Sequence, residues 1–206
     1  MDQQVIMKKM ASRQPSIIGE ESMRKYAILL PFIKKDGELH LLFEVRAQSM
    51  RRQPGEVCFP GGRVDASDKG PLEAAVREAE EELGVVNRDI ENVSSFGTLV
   101  SPFGMTIYSY IGFIKHDAAV KINPAEVDEI FTVPLSYFLT NAPSFHPISV
   151  EVKPEEGFPY DLIANGREYK WQARQYNEYF YHVEGHVIWG LTARVLKEFI
   201  EVLKKE

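Results

Sequence analysis

The chain has 206 residues and a mass of 23.5 kDa, with 44% hydrophobic and 26% charged residues. That is enough for a self-sufficient core and too apolar for a disordered chain. A formal net charge of −6 excludes a broad nucleic-acid-binding surface, and a single cysteine, Cys58, excludes a disulfide framework or a multi-cysteine zinc site.

Residues 1–22 are mixed and polar and are expected to form an N-terminal extension with a loosely attached helix. No apolar run follows Lys8 and Lys9, so the pattern of a secretory leader is missing and a reducing cytoplasm is the expected location. No repeat or low-complexity segment divides residues 23–206, which are expected to fold as one domain. Lys25–Ile33 and Glu38–Arg46 are apolar, β-rich runs joined by Lys34-Lys35-Asp36-Gly37, the pattern of a hairpin. Arg46–Pro60 is a long polar loop, of a length that in compact domains is usually either functional or disordered.

Pro71–Leu83 switches to helical spacing, with Pro71 suited to the first turn and Gly84 to the C-cap. Leu72, Ala75, Val76, Ala79 and Leu83 recur as one stripe expected to be buried. Asn92–Ile114 contains no charged residue, yet its serines, threonines, Pro102 and three glycines are wrong for a lipid-spanning helix. It reads as two buried strands around a loop at Ser101-Pro102-Phe103-Gly104. Asp117–Asn123 is a polar linker, and Glu126–Leu139 an apolar segment in which Pro134 limits any helix. Phe158–Ile163 and Arg167–Trp171 flank Asn165-Gly166, which predicts a second hairpin. His186–Glu206 predicts an amphipathic helix with Ile188, Leu191, Val195, Phe199 and Val202 inward.

The chemistry concentrates on the first helix. At about 100° per residue, Glu78, Glu81 and Glu82 fall within roughly 100° of one another on the helix wheel, beside the apolar stripe, while Glu73 and Glu80 point elsewhere. Like charges at these spacings repel, so such a face is either fully solvated or neutralised by a cation. Asp65–Glu82 carries seven acids against two bases, which favours the cation. Hard oxygen ligands suit Mg²⁺ or Mn²⁺, which keep waters for a phosphate substrate. Just upstream, Arg46, Arg51, Arg52 and Arg63 outnumber Glu44 and Glu56, as a loop gripping a polyphosphate would. Between loop and helix, Gly61 and Gly62 permit a tight turn and close backbone approach, with a carbonyl available to a metal.

Gly62 followed by Arg77-Glu78-Ala79-Glu80-Glu81-Glu82-Leu83-Gly84-Val85 resembles the Nudix box, which ends Arg-Glu-apolar-x-Glu-Glu-x-Gly-apolar. Arg46-Ala47-x3-Arg51-x3-Gly55-x3-Phe59-Pro60-Gly61-Gly62 is similar to the second signature of the coenzyme A pyrophosphatase branch, and Trp189-Gly190-Leu191-Thr192 also resembles that branch. The chain departs from the pattern at three places. Lys69 stands where the box has a glutamate, the gap from Gly62 to Arg77 is one residue longer, and Glu44 replaces a threonine of the branch. Asp68 is the nearest carboxylate to make good the first of these.

The resemblance implies an α/β/α sandwich around a mixed β-sheet, with the box helix on one side and the C-terminal helix on the other. It implies metal-dependent hydrolysis of coenzyme A or its thioesters at the diphosphate, giving 4′-phosphopantetheine and 3′,5′-ADP. Hydrolysis of ADP-ribose or another nucleoside diphosphate derivative is the alternative, and a non-cutting nucleotide sensor a more distant one. In this reading Glu78, Glu81, Glu82 and the Gly62 carbonyl hold Mg²⁺ or Mn²⁺, and Glu81 and Glu82 are catalytic. Arg77 braces a carboxylate, and Arg46, Arg51, Gly61 and Gly62 contact substrate. The general base is open between Glu81 and the later Glu126 and Glu129. The expected partner is a small nucleotide, without nucleic acid or membrane, and a homodimer is compatible with this.

Overall fold

The structure, a computed structural model, describes residues 2–14 and 16–205. Met1 and Pro15 of the expected extension and Glu206 of the expected last helix lie outside the described residues. The extension does carry a helix, α1 (Gln3–Ala11), capped by Asp2, and it buries no side chain. β1 (Arg24–Lys35) and β2 (Glu38–Arg46) form the first hairpin, turning on Asp36 and Gly37 at φ 52° and 85°. Two consecutive left-handed residues match the twist of the flanking strands, which is why Asp-Gly serves there.

The chain continues through β3 (Val57–Cys58), β4 (Gly61–Arg63), α2 (Pro71–Leu83), β5 (Ile90–Ser101) and β6 (Met105–Ile114). The uncharged stretch is therefore two strands, as its polar content predicts. β7 (Val127–Pro134) stops at the proline, and the short α3 (Leu135–Thr140) begins after it. Among the described residues these strands build one seven-stranded sheet, in which β1 runs parallel to β6 and the other pairs are antiparallel. β8 (Ser144–Val150), β9 (Arg174–Val183) and β10 (His186–Trp189) make a second, antiparallel sheet, and α4 (Gly190–Leu203) closes the chain.

Strand alternation divides the core into two layers. Ala27, Leu29 and Leu42 meet Ala74, Ala75, Val76, Ala79 and Leu83 of α2. Leu30, Phe32, Leu41 and Phe43 meet Ala193, Val195, Leu196, Phe199 and Ile200 of α4, with Tyr181 and Ile188 of the second sheet. The sheet is thus covered on both faces, which explains the nearly unbroken apolar run of β1. No helix among the described residues is long and apolar enough to cross a membrane.

Four expectations need correction. Leu72 is not in the buried stripe but 45% exposed, because α2 turns Ala74, Ala75, Val76 and Ala79 to the sheet. The predicted hairpin at 158–171 does not form. Asn165 and Gly166 are both left-handed, but the flanking residues make single helical turns, and Phe158 and Trp171 pack edge to face instead of pairing as strands. His186–Trp189 is a strand, not the first turn of the last helix, since Gly190 at φ 64° breaks the path. Leu191 and Val202, expected inward, are 40% and 52% exposed, because the helix begins later and its buried stripe runs through Ala193, Val195, Leu196, Phe199 and Ile200.

Candidate active site

The site begins where the sheet splits. β1 and β2 pair from the turn at Lys35↔Glu38 as far as Phe32↔Leu41 and diverge beyond it. The segment 57–63 is wedged into the gap, with Glu44↔Cys58 and Val45↔Val57 on β2 and Ala27↔Gly62 and Ile28↔Gly61 on β1. At its centre the Leu29 N–H donates to the Pro60 carbonyl at 2.9 Å. A side chain on Gly61 would collide with the Ala27 carbonyl and the Ile28 backbone, and one on Gly62 with the Glu78 carboxylate. Space requires the first glycine against fixed backbone, and at the second it keeps the Glu78 carboxylate in its place.

α2 crosses this split. Its alanines let it lie close to the sheet, which carries Glu82 inward until it is 4% exposed. There the Gly61 N–H donates to Glu82 Oε2 at 2.8 Å. Arg77 lies alongside and reaches Glu78 (Nη2–Oε1 3.0 Å), Glu81 (Nη1–Oε2 3.2 Å) and the Arg63 carbonyl (3.2 Å). Glu78 is nearly covered, whereas Glu81 is half exposed. Asp68 is not free for a metal, since Arg77 holds it from two nitrogens.

The linker after β6 completes the cluster. Lys121 N–H donates to the Leu83 carbonyl at 2.8 Å and Asn123 N–H to the Glu82 carbonyl at 2.9 Å, satisfying carbonyls that a helix C-terminus leaves open. The same segment is pinned to the loop by Ala47 N–H on the Glu126 carbonyl at 2.8 Å. Glu126 is thereby brought among Glu44, Glu78 and Glu82, close enough to raise the carboxyl pKa of each. Glu129 is not. It pairs with Val45, whose side chain belongs to the opposite layer, and it faces His186 Nε2 at 3.4 Å. A cavity of about 460 Å³ lined by His186, Phe180, Trp189 and Val45 opens on that face, away from the carboxylates.

Glu44 is the residue that pattern reading passed over. It is 1% exposed, and its Oε1 has no hydrogen-bond partner among the described residues. Its signal was a lone charge inside Leu41-Leu42-Phe43-Glu44-Val45, on the face of Leu42 by alternation. Burial pushes its carboxyl well above the usual range, and Glu82 pushes it further. Burial likewise raises Glu82 and Glu78, opposed by the Gly61 N–H in the first case and Arg77 in the second. The Cys58 thiol is pushed up to about 12 by burial and by Glu44 and Glu82, so it is a neutral thiol at physiological pH. Arg46 tempers the group by lowering Glu44 and Glu82, while its Nε donates to the Arg52 carbonyl at 3.4 Å. Arg51 stands exposed in the loop.

These donors fit a hard divalent cation. They are all oxygens, they repel one another without a cation, one buried oxygen lacks a partner among the described residues, and the Glu78 carboxylate occupies the space that a Cβ on Gly62 would take. Among the described residues no three acid, histidine or cysteine side chains already converge as a metal cluster. Glu78 and Glu81 are instead turned to Arg77.

The family model for the NUDIX domain matches residues 23–154. The chain is 37% identical over 149 residues to the peroxisomal coenzyme A diphosphatase NUDT7 of Mus musculus, a match covering 72% of this chain and 61% of that protein. It is 32% identical over 181 residues to the uncharacterized Nudix hydrolase NudL of Photorhabdus laumondii, covering 88% of this chain and 86% of that one. A solved MutT/nudix family protein from Enterococcus faecalis superimposes with a TM-score of 0.51 at 15% identity, over 100% of this chain and 71% of that one, a likeness of fold alone.

Proposed function

The chain belongs to the NUDIX family of hydrolases, and on that premise we propose that it cuts the diphosphate of coenzyme A or its thioesters into 4′-phosphopantetheine and 3′,5′-ADP. The observation that carries the hydrolytic reading is that Glu82 accepts from the Gly61 N–H and Glu78 lies against Gly62 at the split of the sheet, with Glu126 close enough to raise the carboxyl pKa of both. The coenzyme A reading rests on the arginine-bearing loop before that turn, together with 37% identity to a protein named as a coenzyme A diphosphatase.

Glu78, Glu82, Glu126 and the Gly62 carbonyl would hold Mg²⁺ or Mn²⁺. Bound there, the cation supplies charge neutralisation at the diphosphate and acidifies water. Glu81, half exposed and beside Glu78, takes the proton of the attacking water. Arg77 is a positioning residue whose donors go to Asp68, Glu78, Glu81 and the Arg63 carbonyl. Arg46, at the inner end of the loop, lies near the carboxylates, and Arg51 projects outward, where a phosphate distant from the cut would lie.

The test is a product assay run in parallel on coenzyme A, ADP-ribose and diadenosine polyphosphates with added Mg²⁺ or Mn²⁺. Release of 3′,5′-ADP, with coenzyme A having the highest kcat/KM, is expected. Faster cleavage of ADP-ribose would overturn the substrate assignment while leaving the hydrolase.

A further inference from the structure

We propose that Glu44 is an additional carboxylate of the metal site, binding the divalent cation from the floor of the split alongside Glu82. The inference rests on the metal-dependent reading above. It begins with a single atom. Glu44 Oε1 is buried without a hydrogen-bond donor among the described residues, in a side chain that is 1% exposed. A buried carboxylate oxygen left unpaired is among the costlier arrangements a fold can hold, and a native one calls for a partner.

The surroundings limit what that partner can be. On β2, Glu44 lies between Leu42 and Arg46 on the face crossed by α2, with Cys58 opposite it on β3. Glu82 comes down from α2, and Glu126 from the linker, into the same space. The facing charged groups are therefore two carboxylates and Arg46, whose Nε is turned to the Arg52 carbonyl. The backbone N–H of Gly61, the one donor identified at Glu82, is taken by that residue. A small hard cation would satisfy the unpaired oxygen and relieve the repulsion among the carboxylates together. A purely structural Glu44 would share a proton with Glu82 and need no metal. That is the rival the experiment must separate.

Binding of Mn²⁺ to chelator-stripped protein, without substrate, is followed by the electron paramagnetic resonance signal of free Mn²⁺, for wild type, Glu44→Gln and Glu44→Thr. Both substitutions should weaken Mn²⁺ binding roughly tenfold or more, the scale on which a metal's supporting groups act. In the same samples the stripped Glu44→Gln protein should melt no lower than wild type, while its rise in Tm on adding Mn²⁺ shrinks. Mn²⁺ affinity within about twofold of wild type in both variants would overturn the assignment. So would a lower metal-free Tm with an undiminished rise, or failure of both variants to fold. Wild type that binds no Mn²⁺ would overturn the metal-dependent reading itself and this inference with it.

Discussion

Arg77 holds Asp68 with two donors, Nε to Oδ1 at 3.0 Å and Nη2 to Oδ2 at 3.2 Å, while it also reaches two glutamates of its own helix and the Arg63 carbonyl. One guanidinium thus fixes the turn before α2 to the carboxylates on it. That hydrogen bonding, with the Asp65 N–H, holds the Asp68 carboxyl below its usual range. A carboxyl lowered on folding stabilises above its unfolded pKa and loses that contribution as pH falls through the folded one. Asp68→Asn should therefore melt below wild type at neutral pH, and the gap should close on acidification below the ordinary aspartate value of about 3.9. Melting curves over that range check it, and a gap independent of pH would contradict it.

The paired glycines should fail in different ways. Gly61→Ala drives a methyl into the Ala27 carbonyl and Ile28 backbone, which cannot step aside, so it should cost about 1–3 kcal/mol of stability. Gly62→Ala meets only the movable end of Glu78, so the fold should survive while the carboxylate is displaced. Denaturant melts and activity measured on both variants would show stability lost in the first and turnover lost in the second.

Glu82→Gln keeps an oxygen to accept from Gly61 N–H but removes a buried charge that the metal-free fold disfavours. Turnover should fall by roughly two orders of magnitude or more, with the stripped protein melting no lower than wild type. Chelation should abolish turnover in wild type, and added Mg²⁺ or Mn²⁺ should restore it. Glu81→Gln should lower kcat and leave Mn²⁺ affinity near wild type, whereas Glu126→Gln should weaken the metal. The reverse outcome would exchange their roles.

The two loop arginines should separate in the same manner. Arg46 tempers Glu44 and Glu82, so Arg46→Ala should slow all substrates. Arg51 is exposed and distant from that balance, so Arg51→Ala should narrow the preference for coenzyme A over 3′-dephospho-coenzyme A, and Arg51→Lys should narrow it too, because the fork of donors is lost. Comparing kcat/KM on the two substrates decides, and wild type indifferent to the 3′-phosphate would remove the premise.

The helix of the site was legible because its signals were local: Pro71, the alanine stripe, the clustered glutamates and Gly84 all lie within fourteen consecutive residues. The first hairpin and the uncharged strand pair were legible for the same reason. The second sheet was not, since β8 and β9 pair across a long excursion, and Asn165-Gly166 advertised a turn between segments whose aromatics prefer one another to a ladder. His186–Trp189 passed for helix because Ile188 and Val195 keep helical spacing on either side of Gly190. Glu126 and Glu129 looked equivalent as neighbours in sequence. The register of β7 on β2 sends Glu129 to the other face.

The wedge at 57–63 also sets an order of events in folding. β1 finds β2 across a two-residue turn, but its parallel partner β6 lies roughly eighty residues further along, a slow closure. The wedge has no walls until β1 and β2 exist, and Glu126 arrives only once β5 and β6 have been laid down. The carboxylates of β2, α2 and the linker can meet only once that wedge is seated, so their repulsion is expected to weigh on the finished protein more than on the nucleus. Glu82→Gln should then change the rate of unfolding more than the rate of folding, which refolding and unfolding kinetics would check.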